Sequence, residues 1–121
     1  MSVVTDLIEA RDLVRRGWTQ HQLHKYPRLG YDSYCMIGAM VEVTGADKYD
    51  AYYTRRSSRL FDAKGAVEAV LPHSGGGIAS YNDYPLRTKN EVLAVFDRAI
   101  AEARAVQTRR WQSQFTPQIV T

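Results

Sequence analysis

Residues 33–45, SYCMIGAMVEVTG, decide the fold class of this 121-residue chain. The middle of the segment, residues 36–41, is apolar nearly all the way round at helical spacing, and a helix of that kind is buried among other helices. Ser33 is a suitable N-cap and Gly45 a suitable C-terminal residue, so we predict a helix over residues 34–44. Because other helices must cover this one, we predict a mainly α-helical fold, a single compact domain of four to five helices with this apolar helix at its centre.

Two further segments have the apolar spacing of amphipathic helices. Residues 3–16 place an apolar side chain at every third or fourth position, and Gly17 is expected to end that helix in the left-handed conformation. Residues 58–71 repeat the pattern until Pro72, which cannot continue a helix. We expect both helices to pack their apolar faces against the central one.

The C-terminal part of the chain predicts one more helix. Thr88 and Glu91 have the spacing of a capping box, and apolar side chains then mark one helical face over residues 92–106. Residues 109–121 have no clear period and are expected to form a packed or frayed tail. Residues 73–83 include three consecutive glycines, and we predict that they form a loop.

Length and composition indicate a single domain over residues 1–121, because chains this short rarely form two cores. No apolar run approaches the ~18–20 residues that a membrane-spanning helix needs, so no membrane partner is expected. Cys35 is the only cysteine, which excludes an internal disulfide and is typical of a reducing cytoplasm. The net charge of +3 is too small to require a nucleic-acid partner.

Two sets of residues have types that can carry catalysis or hold a metal. His21 and His24 share one face if the segment around them is helical, but no further ligand lies near them in sequence, so neither a metal nor a cofactor is expected. Cys35, His73 and Asn82 have the residue types of a cysteine-hydrolase triad, with Cys35 near a predicted helix N-terminus. Alternatively, Cys35 is a small core residue. In that case Cys35→Ser should cost more stability than Cys35→Ala, because the hydroxyl would be buried.

Residues 49–59, YDAYYTRRSSR, combine tyrosine and arginine, which are both enriched in binding hot spots. We select Tyr52, Tyr53, Arg55 and Arg56 from this stretch as candidate contacts for a partner. Tyrosines that cover a helical bundle and arginines that face solvent would produce the same composition without any binding role.

Three stretches of the chain together resemble an uncharacterised family of short helical proteins from actinobacteria and their phages. They are ARDLVRRGWTQ at residues 10–20, YCMIGAM at residues 34–40 and YNDYPLRTKNEVLAVFDRAIAEAR at residues 81–104. The resemblance implies a helical fold and brings no established activity. The matching positions are Gly17, Trp18, Thr19 and Gln20; Cys35, Gly38 and Ala39; and Asn82, Asp83, Pro85, Arg87 and Thr88.

The first and third of these stretches contain the polar residues that we expect to converge if the fold encloses a pocket. They are Trp18, Gln20, Asn82, Asp83 and Arg87. Asn82 and Asp83 also have the pattern of an Asx-type turn that leads into the last helix. Trp18 is expected to be a buried anchor whose indole N–H needs one acceptor, and Arg87 is expected to pair with Asp83 or to hold a ligand.

These observations predict a small, non-enzymatic binding protein of the cytoplasm, and the resemblance suggests that it is encoded by a phage and engages a host protein. The first alternative is a nucleic-acid-binding protein that uses Arg55, Arg56, Arg59 and the arginines of residues 104–110. The remaining alternatives are a cysteine-dependent hydrolase and a small-ligand-binding protein.

Overall fold

The computed structural model describes residues 2–27, 30–47, 57–72 and 76–115. Within these ranges, five helices form one compact domain and two short strands pair beside them, so the predicted mainly α-helical class is confirmed. No helix in the described ranges is long and apolar enough to cross a membrane.

The elements follow one another with short connections. In chain order they are α1 (Val3–Arg16), β1 (His24–Lys25), β2 (Ser33–Tyr34), α2 (Met36–Thr44), α3 (Ser58–Glu68), α4 (Ile78–Asp83) and α5 (Lys89–Phe115). The two strands are antiparallel, with His24 opposite Tyr34 and Lys25 opposite Ser33.

The core lies where four helices meet. α1 packs against α2, α3 and α5, and α2 also packs against α3 and α4. The largest fully buried apolar side chains are Leu7 from α1, Met36 and Met40 from α2, Leu60 from α3 and Phe96 from α5. Burying each such side chain contributes roughly 1.5–3 kcal/mol to stability. Because α1, α3 and α4 all pack against α2, its apolar segment is covered from several sides, as its composition predicts.

The two terminal helices begin where the sequence predicts. α1 covers residues 3–16, with the Ser2 hydroxyl accepting from the backbone N–H of Thr5 at 3.2 Å. At the start of α5, the backbone N–H of Thr88 donates to the Glu91 carboxylate at 2.9 Å, which confirms the capping box. α5 then continues to Phe115, so the first part of the expected tail is helical instead.

The start of α2 differs from the prediction because the preceding residues pair with another part of the chain. The backbone N–H of Tyr34 donates to the carbonyl of Gly17 at 2.9 Å, and that of Cys35 donates to the carbonyl of Leu23 at 3.3 Å. These bonds hold residues 33 and 34 in an extended conformation. The N-cap is therefore Cys35 and not Ser33, whereas Gly45 ends the helix as predicted and does so in the left-handed conformation.

Gly17 does not adopt the left-handed conformation that we predicted, since its φ is −164° and its backbone is extended. A Cβ atom at this position would lie 2.6 Å from the carbonyl oxygen of Asp32. Gly17 is the C-cap residue of α1, but the need for a glycine is explained by the close approach of two backbone segments and not by a left-handed conformation.

The prediction of a loop over residues 73–83 is wrong in its second half. Residues 78–83 form α4, which buries Ile78 and Asn82. No side chain caps this helix at Gly77, so the usual sequence signal for a helix start is missing. Tertiary packing of the two buried residues is what stabilises it.

A carboxylate of α1 is buried against a guanidinium of α3. Asp6 is fully enclosed, and Arg59 donates to it from Nη2 at 2.7 Å and from Nε at 3.3 Å. Nη2 also donates to the carbonyl of Val43 at 3.2 Å. Arg59 therefore joins three helices, which makes it unsuitable for the nucleic-acid contact considered above.

We expect Arg59→Met to lower the free energy of unfolding clearly, because the Asp6 carboxylate would be left buried without its guanidinium. Arg15→Met is the matched control: Arg15 also forms an ion pair, with Asp12 at 3.0 Å, but both partners are about half exposed. Exposed pairs of this kind contribute little. Urea unfolding of both variants is the measurement, and equal losses of stability would contradict the role given to the Asp6–Arg59 pair.

Candidate functional site

The buried side chain of Asn82 connects three segments of the chain. Its Oδ1 accepts from the indole Nε1 of Trp18 at 2.9 Å and from the backbone N–H of Met36 at 3.1 Å. Its Nδ2 donates to the carbonyl of Thr19 at 3.1 Å and to Oδ1 of Asp83 at 2.9 Å. Both acceptor positions and both donor hydrogens of the amide are used, so Asn82 is a structural link and not an Asx turn.

The adjacent residues strengthen this link. Gln20 uses both amide hydrogens, which donate from Nε2 to the carbonyls of Asn82 at 3.0 Å and Tyr84 at 2.9 Å. The carboxylate of Asp83 accepts from the backbone N–H of His21 at 2.9 Å. The predicted convergence of Trp18, Gln20, Asn82 and Asp83 thus occurs, but most of their polar atoms bind one another and not a ligand.

Arg87 does not join this cluster. Its Nε donates to the carbonyl of Tyr81 at 2.9 Å and its Nη1 donates to Glu91 at 3.2 Å, so the expected pair with Asp83 is replaced by a pair with Glu91. A hydrogen bond from the backbone of Thr88, aided by the Arg87 guanidinium, lowers the pKa of the Glu91 carboxyl. The side chain of Arg87 is only 15% exposed but lines a cavity of its own.

A second cavity, of about 260 Å³, lies beside the N-terminus of α2 and contains the cysteine. Its lining residues are His21, Gln22, Leu23, Cys35, Ile37, Ala79, Asn82 and Asp83. Cys35 is buried, and its Sγ accepts from the backbone N–H of Gly38 at 3.2 Å. Burial raises the pKa of the Cys35 thiol, although the hydrogen bond from Gly38 acts in the opposite direction.

The N-cap role reverses the order of stability expected for a plain core cysteine. Cys35→Ala removes the acceptor of a buried N–H and should cost about 1–2 kcal/mol, whereas Cys35→Ser keeps an acceptor there and should cost less. We also expect iodoacetamide to label native Cys35 slowly, because the thiol is buried and mostly protonated. Urea unfolding and timed labelling are the measurements. A serine variant less stable than the alanine variant, or fast native labelling, would contradict this role.

The triad considered from the sequence is not assembled among the described residues. Asn82 is committed to the link, and His73 lies outside the described residues. The imidazole that lines the cavity with Cys35 is instead that of His21, which is exposed and lies 3.8 Å from the Asp83 carboxylate. In the described part of the chain, no three His, Cys, Asp or Glu side chains are grouped so that they could hold a metal ion. His24 is paired with Asp32 at 2.9 Å.

The connection between β1 and β2 exposes aromatic side chains that the sequence analysis did not select. Tyr26 is 78% exposed and Tyr31 is 69% exposed. The guanidinium of Arg16 lies 5.6 Å from the ring centroid of Tyr31. We call Arg16, Tyr26 and Tyr31 the tyrosine face. The sequence signal for this exposure is that Tyr26 precedes Pro27 and Tyr31 follows Gly30, because proline and glycine mark turns at the surface.

The residues that we selected from the tyrosine- and arginine-rich stretch are Tyr52, Tyr53, Arg55 and Arg56, and all four lie outside the described residues. Of the nucleic-acid candidates that are described, Arg104, Arg109 and Arg110 are exposed on α5. At 100° per residue these three point to different sides of the helix. Arg109 also lies 3.5 Å from Glu102.

Comparison of the chain with curated proteins gives no match, and comparison with solved structures gives none either. The family comparison does give a match, and it includes all of α1 to α4 and the first half of α5. Residues 1–102 match the family of unknown function DUF6197, and the chain therefore belongs to that family.

Proposed function

We propose that this protein is a non-enzymatic binding module that engages another protein through the tyrosine face. The exposure of Tyr26 and Tyr31 on one short connection carries the proposal. Tyrosine and arginine are enriched in the residues that dominate binding energy at interfaces. The resemblance to actinobacterial and phage proteins supports a phage-encoded chain whose partner is a protein of the bacterial host. A single free thiol supports action in the cytoplasm.

Ring contacts hold Tyr26, one member of the tyrosine face, before any partner arrives. The His24 ring is stacked on that of Tyr34, with centroids 4.4 Å apart, and is tilted by 40° to that of Tyr26, with centroids 3.9 Å apart. The histidine is itself held by a hydrogen bond from Nε2 to Asp32 at 2.9 Å. Side chains that are already fixed lose less conformational entropy on binding, so a partner would gain more from contact with them.

A cavity of about 260 Å³ lies next to the tyrosine face and offers a place for one side chain of the partner. Its lining includes Leu13, Arg16, Tyr31 and Tyr34. Arg16 is a cation at the rim, while Asp32 is occupied by His24. This combination favours a partner that inserts an acidic or acceptor side chain beside an apolar one.

Nucleic acid remains the alternative partner, and the geometry supports it less. Arg59 is held by Asp6, and the arginines of residues 104–110 do not share one side of α5. A nucleic-acid interface concentrates its cations on one face so that they follow a row of phosphates.

Site-specific photocrosslinking tests the proposal. A benzophenone amino acid replaces Tyr26 in one sample and Leu86 in the other, because Leu86 is 77% exposed and so is a matched control. After irradiation in an actinobacterial lysate, we expect a discrete protein adduct at position 26 and none at position 86. Adding Arg16→Glu to the position-26 sample should reduce the adduct.

Nuclease treatment and proteomic identification complete the experiment. An adduct that nuclease removes would replace the proposal with the nucleic-acid alternative. Equal adducts at positions 26 and 86, or no adduct at position 26, would show that the tyrosine face is not an interface.

A further inference from the structure

The cavity beside Arg87 is separate from both the tyrosine face and the cysteine cavity. It has a volume of about 440 Å³, within the range of small-ligand sites. Leu71 and Pro72 form one part of its wall, and Ser80 and Tyr84 form another. Arg87 is the only charged side chain among the described residues that line it.

The guanidinium of Arg87 is fixed but is not saturated. A guanidinium has five N–H donors, and the bonds to the carbonyl of Tyr81 and to Glu91 use one each. Its Nη2 has no acceptor among the described residues. The guanidinium also stacks on Tyr81, with Cζ 3.6 Å from the ring centroid, so its plane is set in advance.

An aromatic surface accompanies this charge. The ring centroid of Tyr84 lies 5.2 Å from Cζ of Arg87, and half of the Tyr84 side chain is exposed. Leu71 and Pro72 add apolar surface to the same cavity. A ligand with a flat ring would cover apolar area here while its acidic group reached the guanidinium.

We propose that this cavity binds a small carboxylate attached to a flat ring. A carboxylate matches the planar fork of Arg87 in two parallel hydrogen bonds. The positive charge of Arg87 is already partly neutralised by Glu91. The charge that remains can compensate a monoanion better than a dianion, which favours a carboxylate over a phosphate monoester. The Ser80 hydroxyl is available as a further donor.

A titration with sodium benzoate, followed by amide shifts of the ¹⁵N-labelled full chain, tests the proposal. We expect saturable shifts at residues 80–87 and none at the tyrosine face. Three further probes separate the contributions: benzamide lacks the charge, acetate lacks the ring and phenyl phosphate is a dianion. Each should bind more weakly than benzoate.

Two variants address the two parts of the site. Arg87→Gln should weaken benzoate by at least about tenfold, because one charge-assisted hydrogen bond is worth that factor and the carboxylate would lose two. Tyr84→Leu should weaken it as well, and it leaves the bonds of Arg87 to Tyr81 and Glu91 unchanged. Glu91→Gln keeps a side chain suited to the capping box and removes the competing negative charge, so it should tighten benzoate.

Several results would overturn the proposal. Equal affinity for benzoate and acetate would indicate nonspecific anion binding, and equal affinity for benzamide would indicate apolar binding alone. Tighter binding of phenyl phosphate would assign the cavity to phosphate esters. Shifts confined to other residues, or unchanged benzoate affinity in a folded Tyr84→Leu variant, would show that the cavity is not the site.

Discussion

Gly38→Ala is expected to be the most destabilising glycine-to-alanine substitution among the described residues. A Cβ atom on Gly38 would lie 2.6 Å from the carbonyl carbon of Leu23 and closer still to its oxygen. These are backbone atoms, and the same carbonyl accepts from the backbone N–H of Cys35. The loop before α2 would have to move away from the helix, with an expected cost of about 3 kcal/mol or more, the upper end for an overpacked site.

Helix propensity makes the test of Gly38 stringent. Alanine is favoured over glycine within a helix by about 1 kcal/mol, so any net loss must come from the collision with Leu23. Gly65→Ala in α3 is the matched control, because a Cβ atom there meets nothing within 4 Å. We expect this control to raise stability by about 0.5–1 kcal/mol in urea unfolding. If Gly38→Ala also raised stability, the close approach of Leu23 to α2 would be refuted.

The helices could be predicted because their signals are local. The spacing of apolar residues in α1 and the capping box of Thr88 and Glu91 each lie within a few residues of the feature that they predict. α2 shows the limit of this reasoning. Its apolar content predicts burial, but its first residue is set by backbone bonds of Tyr34 and Cys35 to residues 17 and 23, and no local pattern encodes such pairing.

The candidate site could be predicted in composition but not in geometry. The sequence predicts that Trp18, Gln20, Asn82 and Asp83 converge, and they do. The same residue types, however, suit a ligand pocket and a structural link equally well. All four hydrogen bonds of the Asn82 amide are made within the protein, which identifies a structural link. The partners of these bonds are distant in sequence, so they cannot be found from the sequence alone. The cavity beside Arg87 depends on α4, a helix without a capping signal, so the sequence had no means of predicting it.

Asn82→Ala is the second substitution for which we expect a large effect. It would leave the indole N–H of Trp18 and the backbone N–H of Met36 without their acceptor, and the carbonyl of Thr19 without its donor. A buried polar group left unsatisfied costs about 1–3 kcal/mol. Trp18 is only half buried and not fully buried as the sequence predicts, so its unpaired N–H should cost less than that of a fully buried donor. We therefore expect a total loss of about 3 kcal/mol.

A double-mutant cycle shows whether this loss comes from the hydrogen bond between Trp18 and Asn82. Trp18→Phe removes the indole donor, so Asn82→Ala should cost about 1 kcal/mol less in the Trp18→Phe background than in the wild type. Asn82→Asp tests the donor role of Asn82 separately from its acceptor role. It keeps an oxygen that can accept from Trp18 and Met36, but it replaces the NH₂ group by a second oxygen, which would face the Asp83 carboxylate and the Thr19 carbonyl. It should therefore be destabilising although it is isosteric. Additive effects of the two substitutions, or a neutral Asn82→Asp, would contradict the hydrogen-bonded link.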